Sequence, residues 1–277
     1  VLLDFGREIN GCVRILTFSS HSDKPASVNI TCGESVSEAL SAPGEKNSTN
    51  DHAVRSADRL LPSYSDMTFN ETGFRFVCLR LNGKGTRLSV RSVAAVSVYG
   101  DIPYIGSFSC SDETLNKIYD TAAYTCGLCL QNYIWDGIKR DRWVWSGDAY
   151  QSYFVNRVLY MDKELCRRTI WALRGKDPIE QHINTILDYS LYWVMSVGDY
   201  YETFGDADFV RQIWPRVRTM MDYCRASVNA DGFLEGREND WVFIDWAEMD
   251  KEGALFAEVP HKFEAGTVNA AGAAGLH

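Results

Sequence analysis

Up to residue 103 the apolar positions tend to alternate with polar ones. Cys12-Val-Arg-Ile-Leu-Thr-Phe18, Ala26-Ser-Val-Asn-Ile-Thr-Cys32, the run 74–81 and the run 88–99 are rich in β-branched residues, the pattern of strands in a sheet with one wet face. Residues 41–58, rich in Ser, Asn, Asp, Gly and Pro, predict a long loop. After Pro103 the period becomes helical. Leu115, Ile118, Tyr119, Ala122 and Ala123 fall on one stripe, with Ser109 or Ser111 as a cap and Asp112 and Glu113 at the positive end of the dipole. Further helices are predicted through about 147–160, 162–174, 187–204 and 206–228, with Gly205 as a stop and Asp206 as the next cap. The chain thus reads as multidomain, β then α. A β-sandwich covers 1–103, and antiparallel helices of a bundle or α/α toroid cover 104–277. The absence of βαβ alternation argues against a Rossmann fold or a parallel barrel.

Composition narrows the function. The 277 residues are 45% hydrophobic and 23% charged, and Asp and Glu outnumber Lys and Arg 37 to 28 for a net charge of −9. An acidic chain without a basic cluster is a poor partner for nucleic acid. Its apolar runs fall far short of the ~20 residues a membrane-spanning helix needs. Eight cysteines are too sparse for a disulfide scaffold. Cys126-Gly-Leu-Cys129 has metal-pair spacing but no second pair and no nearby His, so core thiols are expected, and neither metal nor cofactor is called for. Asn29, Asn47 and Asn70 head glycosylation sequons that matter only on a eukaryotic secretory route. Neither compartment nor oligomeric state follows from these features.

The unusual stretch is Trp135-Asp-Gly-Ile-Lys-Arg-Asp-Arg-Trp-Val-Trp-Ser-Gly-Asp148. It connects two predicted helices, yet packs three carboxylates (Asp136, Asp141, Asp148), three cations (Lys139, Arg140, Arg142) and three tryptophans (Trp135, Trp143, Trp145) into fourteen positions. Aromatic faces for apolar sugar faces, with charged groups for hydroxyls, are what a carbohydrate pocket needs. A carboxyl desolvated by aromatics can act as a general acid, whereas one beside arginine is pushed toward ionisation. Composition alone also fits a plain salt-bridge network with two tryptophans in the core.

The order of residues resembles a pattern of the α-L-rhamnosidases of glycoside hydrolase family 78, Asp-x-x-Arg-Asp-Glu-Arg-x-x-Trp-x-Gly-Asp. Asp136, Lys139, Arg140, Asp141, Arg142, Trp145, Gly147 and Asp148 align with it without a gap. The opening run 1–11, the run Ile105–Tyr119, Asp188-Tyr-Ser-Leu-Tyr-Trp193, Tyr200–Asp206 and Asp245-Trp246 are similar to other landmarks of that family. The resemblance spans effectively the whole chain. It implies a β-sandwich followed by part of an (α/α)6 toroid, and inverting hydrolysis of terminal α-L-rhamnosides. Asp141 falls at the general acid, Asp136 and Asp148 at carboxylates that grip the sugar, and Trp145 and Trp246 at aromatics of the pocket. Two departures stand. Asp141 is one methylene shorter than the family's usual Glu, and Lys139-Arg140 replaces Arg-Asp. Sliding the match by one residue would pair Asp141 with the family's Asp and delete the acid, but Arg142, Trp145, Gly147 and Asp148 hold the gap-free register.

Among other candidates, Lys139 and Arg140 are expected to touch substrate, Asp245-Trp246 is expected to contact the sugar, and Trp193 is either core or pocket wall. His182 reads as a structural donor, and Glu235, Glu238, Glu248, Glu252 and Glu258 as a solvated face or possible bases. About five periodic segments, with a sixth near Thr267, fall short of a six-hairpin toroid. The expectation is therefore an incomplete chain, with the general base a Glu beyond residue 277. A catalytically inert sugar-binding relative and an eliminative lyase are the other readings.

Overall fold

A computed structural model describes residues 1–42 and 55–236. Two compact units emerge. One comprises Val1–Asp101 with Gly127–Gln131 and Gly137–Trp143, and the other comprises Ile102–Cys126, Asn132–Asp136 and the chain from Val144 onward.

In the first unit, β1 (Leu2–Ser19), β2 (Ala26–Gly33), β3 (Arg55–Leu61), β4 (Asp66–Leu81) and β5 (Ser89–Ser97) form one antiparallel sheet in the order β3-β2-β4-β1-β5. Alternation gives the sheet its buried face. Val13 and Ile15 of β1, Val28, Ile30 and Cys32 of β2, Leu61 of β3, and Phe74 and Val77 of β4 form the core, while Arg14 between two of them is exposed. The β1–β4 ladder breaks between Asp4↔Phe76 and Ile9↔Phe74. This bulge in β1 carries Glu8, and bulges of this kind re-aim side chains. The strands expected at 12–18, 26–32, 74–81 and 88–99 are present, and β1 and β4 run longer because bulges absorb the breaks in their pattern.

Two elements fall inside or beside the expected 41–58 loop. β3 begins at Arg55, and a short helix, α1 (Val36–Leu40), precedes the loop. The Ser35 hydroxyl accepts from the Glu38 amide at 3.1 Å, and Glu38 Oε2 accepts from the Glu34 amide at 2.8 Å. Ser35-x-x-Glu38 is thus a capping-box spacing that marks a helix start. Residues 43–54, with the Asn47 sequon, lie outside the described residues.

The second unit holds α2 (Glu113–Cys129, whose last turn joins the first unit), α3 (Ser146–Leu159), α4 (Lys163–Leu173), α5 (Leu187–Phe204) and α6 (Ala207–Arg225). Within it, α5 packs against α3, α4 and α6. It buries Leu187, Tyr189, Leu191, Trp193, Val197 and Tyr200 over much of its circumference. On α6, Phe209, Ile213, Val217, Met221 and Cys224 make a single buried stripe at helical spacing. Gly205 ends α5 with φ +63°, and Asp206 caps α6 by accepting from the Phe209 amide at 3.1 Å, as its position predicts. The cap of α2 differs from expectation. Asp112, rather than a serine, accepts from the Thr114 amide at 2.8 Å. Leu115 and Ile118 of the predicted apolar stripe are exposed while Ala123 is buried. Cys126 and Cys129 are half-buried thiols outside any disulfide rather than core residues, and burial pushes the Cys126 thiol up to about 11. No helix among the described residues is long and apolar enough to cross a membrane.

Candidate active site

The connector between α2 and α3 is divided between the two units. Gly137–Trp143 belongs to the β unit, and Trp135, Asp136 and the residues from Val144 belong to the helical unit.

In the β unit, Gly137–Trp143 is held by backbone and charge together. The Gly73 amide of β4 donates to the Ile138 carbonyl at 2.8 Å. A side chain at Gly73 would meet Ile138 at 2.5 Å, so this approach needs glycine. The Arg55 guanidinium donates to the carbonyls of Lys139 at 2.5 Å and Arg140 at 3.1 Å. Arg142 donates to the Glu71 carbonyl at 2.6 Å and to its carboxylate at 2.7 Å. Arg142 has φ +49°, a conformation a non-glycine residue keeps only where its surroundings hold it. Lys139, expected to touch substrate, is 4% exposed, with its ammonium against the Glu38 carboxylate and 4.0 Å from Glu34. Its ammonium is thus engaged by carboxylates of its own unit. Asp141 lies two residues on, 20% exposed, with the more exposed Arg140 at 3.3 Å. Trp143 is exposed.

In the helical unit, Asn184 replaces the missing cap of α3. Its Oδ1 accepts from the Ser146 amide at 2.9 Å and its Nδ2 donates to the Val144 carbonyl at 3.1 Å. The Ser146 hydroxyl donates to the Tyr189 carbonyl at 2.8 Å, which ties the first turns of α3 and α5 together. Asp148, exposed in the first turn of α3, sits where a helix favours negative charge. The Tyr189 hydroxyl donates to it at 3.4 Å. Trp145 meets the Tyr189 ring edge-on, with centroids 6.2 Å apart. Its indole N–H is buried and donates to no acceptor among the described residues. A side chain at Gly147 would meet the Tyr189 ring at 2.5 Å, so glycine lets these two turns close. Tyr150 stacks on Tyr192 at 5.1 Å. Asp136 is half-buried in this unit.

The remaining candidates separate. Trp193 is fully buried and donates its indole N–H to the Ile170 carbonyl at 2.9 Å, so of its two readings it is core. His182 is buried with its ring nitrogen 2.9 Å from the Ser190 hydroxyl and its ring edge-on to Tyr223, a structural placement. Glu235 accepts from Asn229 at 2.8 Å. Asp245, Trp246, Glu238, Glu248, Glu252, Glu258 and the possible helix near Thr267 lie outside the described residues. Asp188, in the first turn of α5, entered the sequence reading only as the start of the family-like run 188–193, with no role assigned. Burial pushes its carboxyl up to about 6 against the pull of backbone amides, and perturbed carboxyls gather at functional sites. No residue pattern signals its desolvation, which comes from tertiary packing.

Similarity to known proteins follows this arrangement. The model of the bacterial alpha-L-rhamnosidase six-hairpin glycosidase domain matches residues 103–265. An alpha-L-rhamnosidase of Formosa agariphila is 22% identical over 210 residues, 68% of this chain and 22% of its own length. Among solved structures, a rhamnosidase from Klebsiella oxytoca with rhamnose bound superposes with a TM-score of 0.79 at 23% identity, over 99% of this chain and 56% of that one. The GH78 family rhamnosidase of Bacillus sp. GL1 gives 0.75 at 18% identity, over 99% of this chain and 30% of that one. The chain therefore spans little more than half of one solved relative and less than a third of the other two proteins. The likeness fixes the fold as a β domain followed by a portion of a helical toroid. With more than half of its residues matched, the chain belongs to the bacterial alpha-L-rhamnosidase six-hairpin glycosidase family.

Proposed function

We propose that the protein is a glycoside hydrolase that removes terminal α-L-rhamnose, or a related neutral or deoxy sugar, with inversion, and that it divides into a β domain over 1–103 and a catalytic helical domain over 104–277. The observation that carries this reading is the gap-free run Asp136–Asp148 inside the matched family domain. Asp141 is the proton donor to the leaving oxygen. Asp136, Asp148, Trp145, Arg140, Asp245 and Trp246 bind the sugar, and the indole N–H of Trp145 is a donor with no described protein acceptor. Lys139 and Trp193 leave that set and serve the structure. An inverting mechanism places a second carboxylate roughly 6.5–9.5 Å from the acid to activate water on the opposite face. No cofactor takes part.

One observation favours a second reading, an inert sugar-binding relative. Asp141 is one methylene shorter than the usual Glu, which draws a proton donor back from the hydrogen-bond reach of the leaving oxygen that general acid catalysis needs. A panel of aryl glycosides incubated with the full-length protein separates the two. Release of phenol with many turnovers, fastest on the α-L-rhamnoside, supports the hydrolase. Saturable rhamnose binding without phenol release supports the inert relative.

A further inference from the structure

We propose that Lys139 and Glu38 are positioning residues for Asp141, joined in a buried ion pair that fixes the acid-bearing segment on the β unit. This inference rests on the glycosidase reading and deepens it.

The argument starts from Glu38. It is 6% exposed on a helix of only five residues, and both of its carboxylate oxygens are used. One accepts from the Glu34 amide and so caps α1, and the other meets Lys139. A carboxylate fixed by its own helix cap is a rigid receptor for an incoming ammonium. Lys139 reaches it from a position 101 residues later in the chain, two residues before Asp141. On either side of that contact the segment is held by Gly73 at Ile138, by Arg55 at the carbonyls of Lys139 and Arg140, and by Arg142 at Glu71. Every one of these partners belongs to the β unit. Of the cations in the segment, Lys139 holds it to α1 and Arg142 to β4, both in the β unit, and Arg140 lies beside the acid.

A proton donor must stand within hydrogen-bond reach of the leaving oxygen, and a misplacement of about 1 Å can cost roughly 10²-fold in rate. The buried pair supplies that placement. Charges enclosed together hold one geometry, because a shift of either leaves the other desolvated and unpaired. The pair is thus a feature of the β unit that acts on chemistry through Asp141 without touching substrate.

The test uses the full-length protein with Lys139→Met, which keeps the apolar stem, Glu38→Gln, which keeps the shape and the helix-cap acceptor, and the exchanged pair Lys139→Glu/Glu38→Lys. Two readouts are taken on each. Amide exchange of 138–142 is compared with that of Ile30 and Leu79 in the β2–β4 ladder. In addition, kcat and KM are measured on aryl rhamnosides with good and poor leaving groups. The expected result for both single variants is exchange in 138–142 accelerated at least about tenfold more than that of the ladder, whose own change reads the general loss of stability; equal acceleration of both overturns the anchor. Alongside it, kcat should fall by about 10²-fold on the poor leaving group and much less on the good one, at a KM within about twofold. The exchanged pair should recover part of both. Unchanged exchange in 138–142 overturns the anchor, and an equal kcat loss on both leaving groups overturns the positioning role in favour of a structural one. Should Lys139→Met fail to fold, Glu38→Gln and the exchanged pair give the same two readouts. A parent protein that hydrolyses no glycoside refutes the glycosidase reading and the positioning role with it, and the exchange data then decide the anchor alone.

Discussion

Glu8, in the bulge of β1, shows how one residue ties the β unit to pH. Burial, then the charge of Glu34 and a hydrogen bond shared with it, push the Glu8 carboxyl up to about 8, against the pull of Lys139; Glu38 adds a smaller upward push. The folded protein therefore keeps a proton that the unfolded chain releases near the ordinary value of 4.5. Its contribution to stability is complete below that value and is lost as pH rises through about 8. The unfolding temperature should fall from pH 5 to pH 9, and Glu8→Gln should flatten that slope; an equally steep slope in the variant contradicts the assignment. The pair beside it makes a second prediction. Lys139→Met takes the ammonium away from the buried Glu38 carboxylate at a cost of about 3–5 kcal/mol, whereas Lys139→Met/Glu38→Met removes both charges and costs far less. Urea denaturation of the two variants reads the difference. Two equal losses would show that packing, not charge, dominates there.

At the scale of elements, Asp206 joins three helices. It caps α6, accepts from the Tyr200 hydroxyl of α5 at 2.8 Å and pairs with Lys163 of α4 at 2.9 Å. Lys163 first, then the Phe209 amide and Tyr200, hold its carboxyl down at about 2. That stabilisation is present above the ordinary value of 3.8 and is lost as pH falls toward 2. Asp206→Ala should cost about 0.5–2 kcal/mol through the cap alone, and Asp206→Asn, which can still cap, should cost less; the same loss in both would assign the effect to the ion pair. Gly147→Ala is predicted to drive a methyl into the Tyr189 ring, destabilise by about 1–3 kcal/mol and weaken sugar binding by displacing Tyr189 from Asp148. Calorimetry and a rhamnose titration check both parts. The boundary between α5 and α6 was legible because Gly205-Asp206 is a local stop-and-cap signal. α1 was also written locally, in Ser35-x-x-Glu38, but one turn of helix leaves no periodicity to notice. β3 went unread at Arg55 because polar residues continue into it from the preceding stretch, and its pairing with β2 is set by partners far along the chain.

Across the whole molecule, the change of period near Pro103 made the order of β then α legible, since strands and helices bury different spacings. Which sheet neighbours form was not, because the order β3-β2-β4-β1-β5 follows from long-range pairing. The candidate site was legible in residue order and less so in role. Lys139 read as a substrate contact and Trp193 as core or pocket wall, whereas burial sets one against Glu38 and the other on the Ile170 carbonyl, and the desolvation of Asp188 has no local sequence signal. The central claim is that Asp141 gives a proton to the leaving group. The most direct measurement compares Asp141→Asn with the parent full-length protein on aryl α-L-rhamnosides of graded leaving-group acidity. The account predicts a loss of about 10²–10⁴-fold on the poorest leaving group, shrinking toward none on the best, which needs no proton. Unchanged rates across the series, or an equal loss at every leaving group, would contradict it.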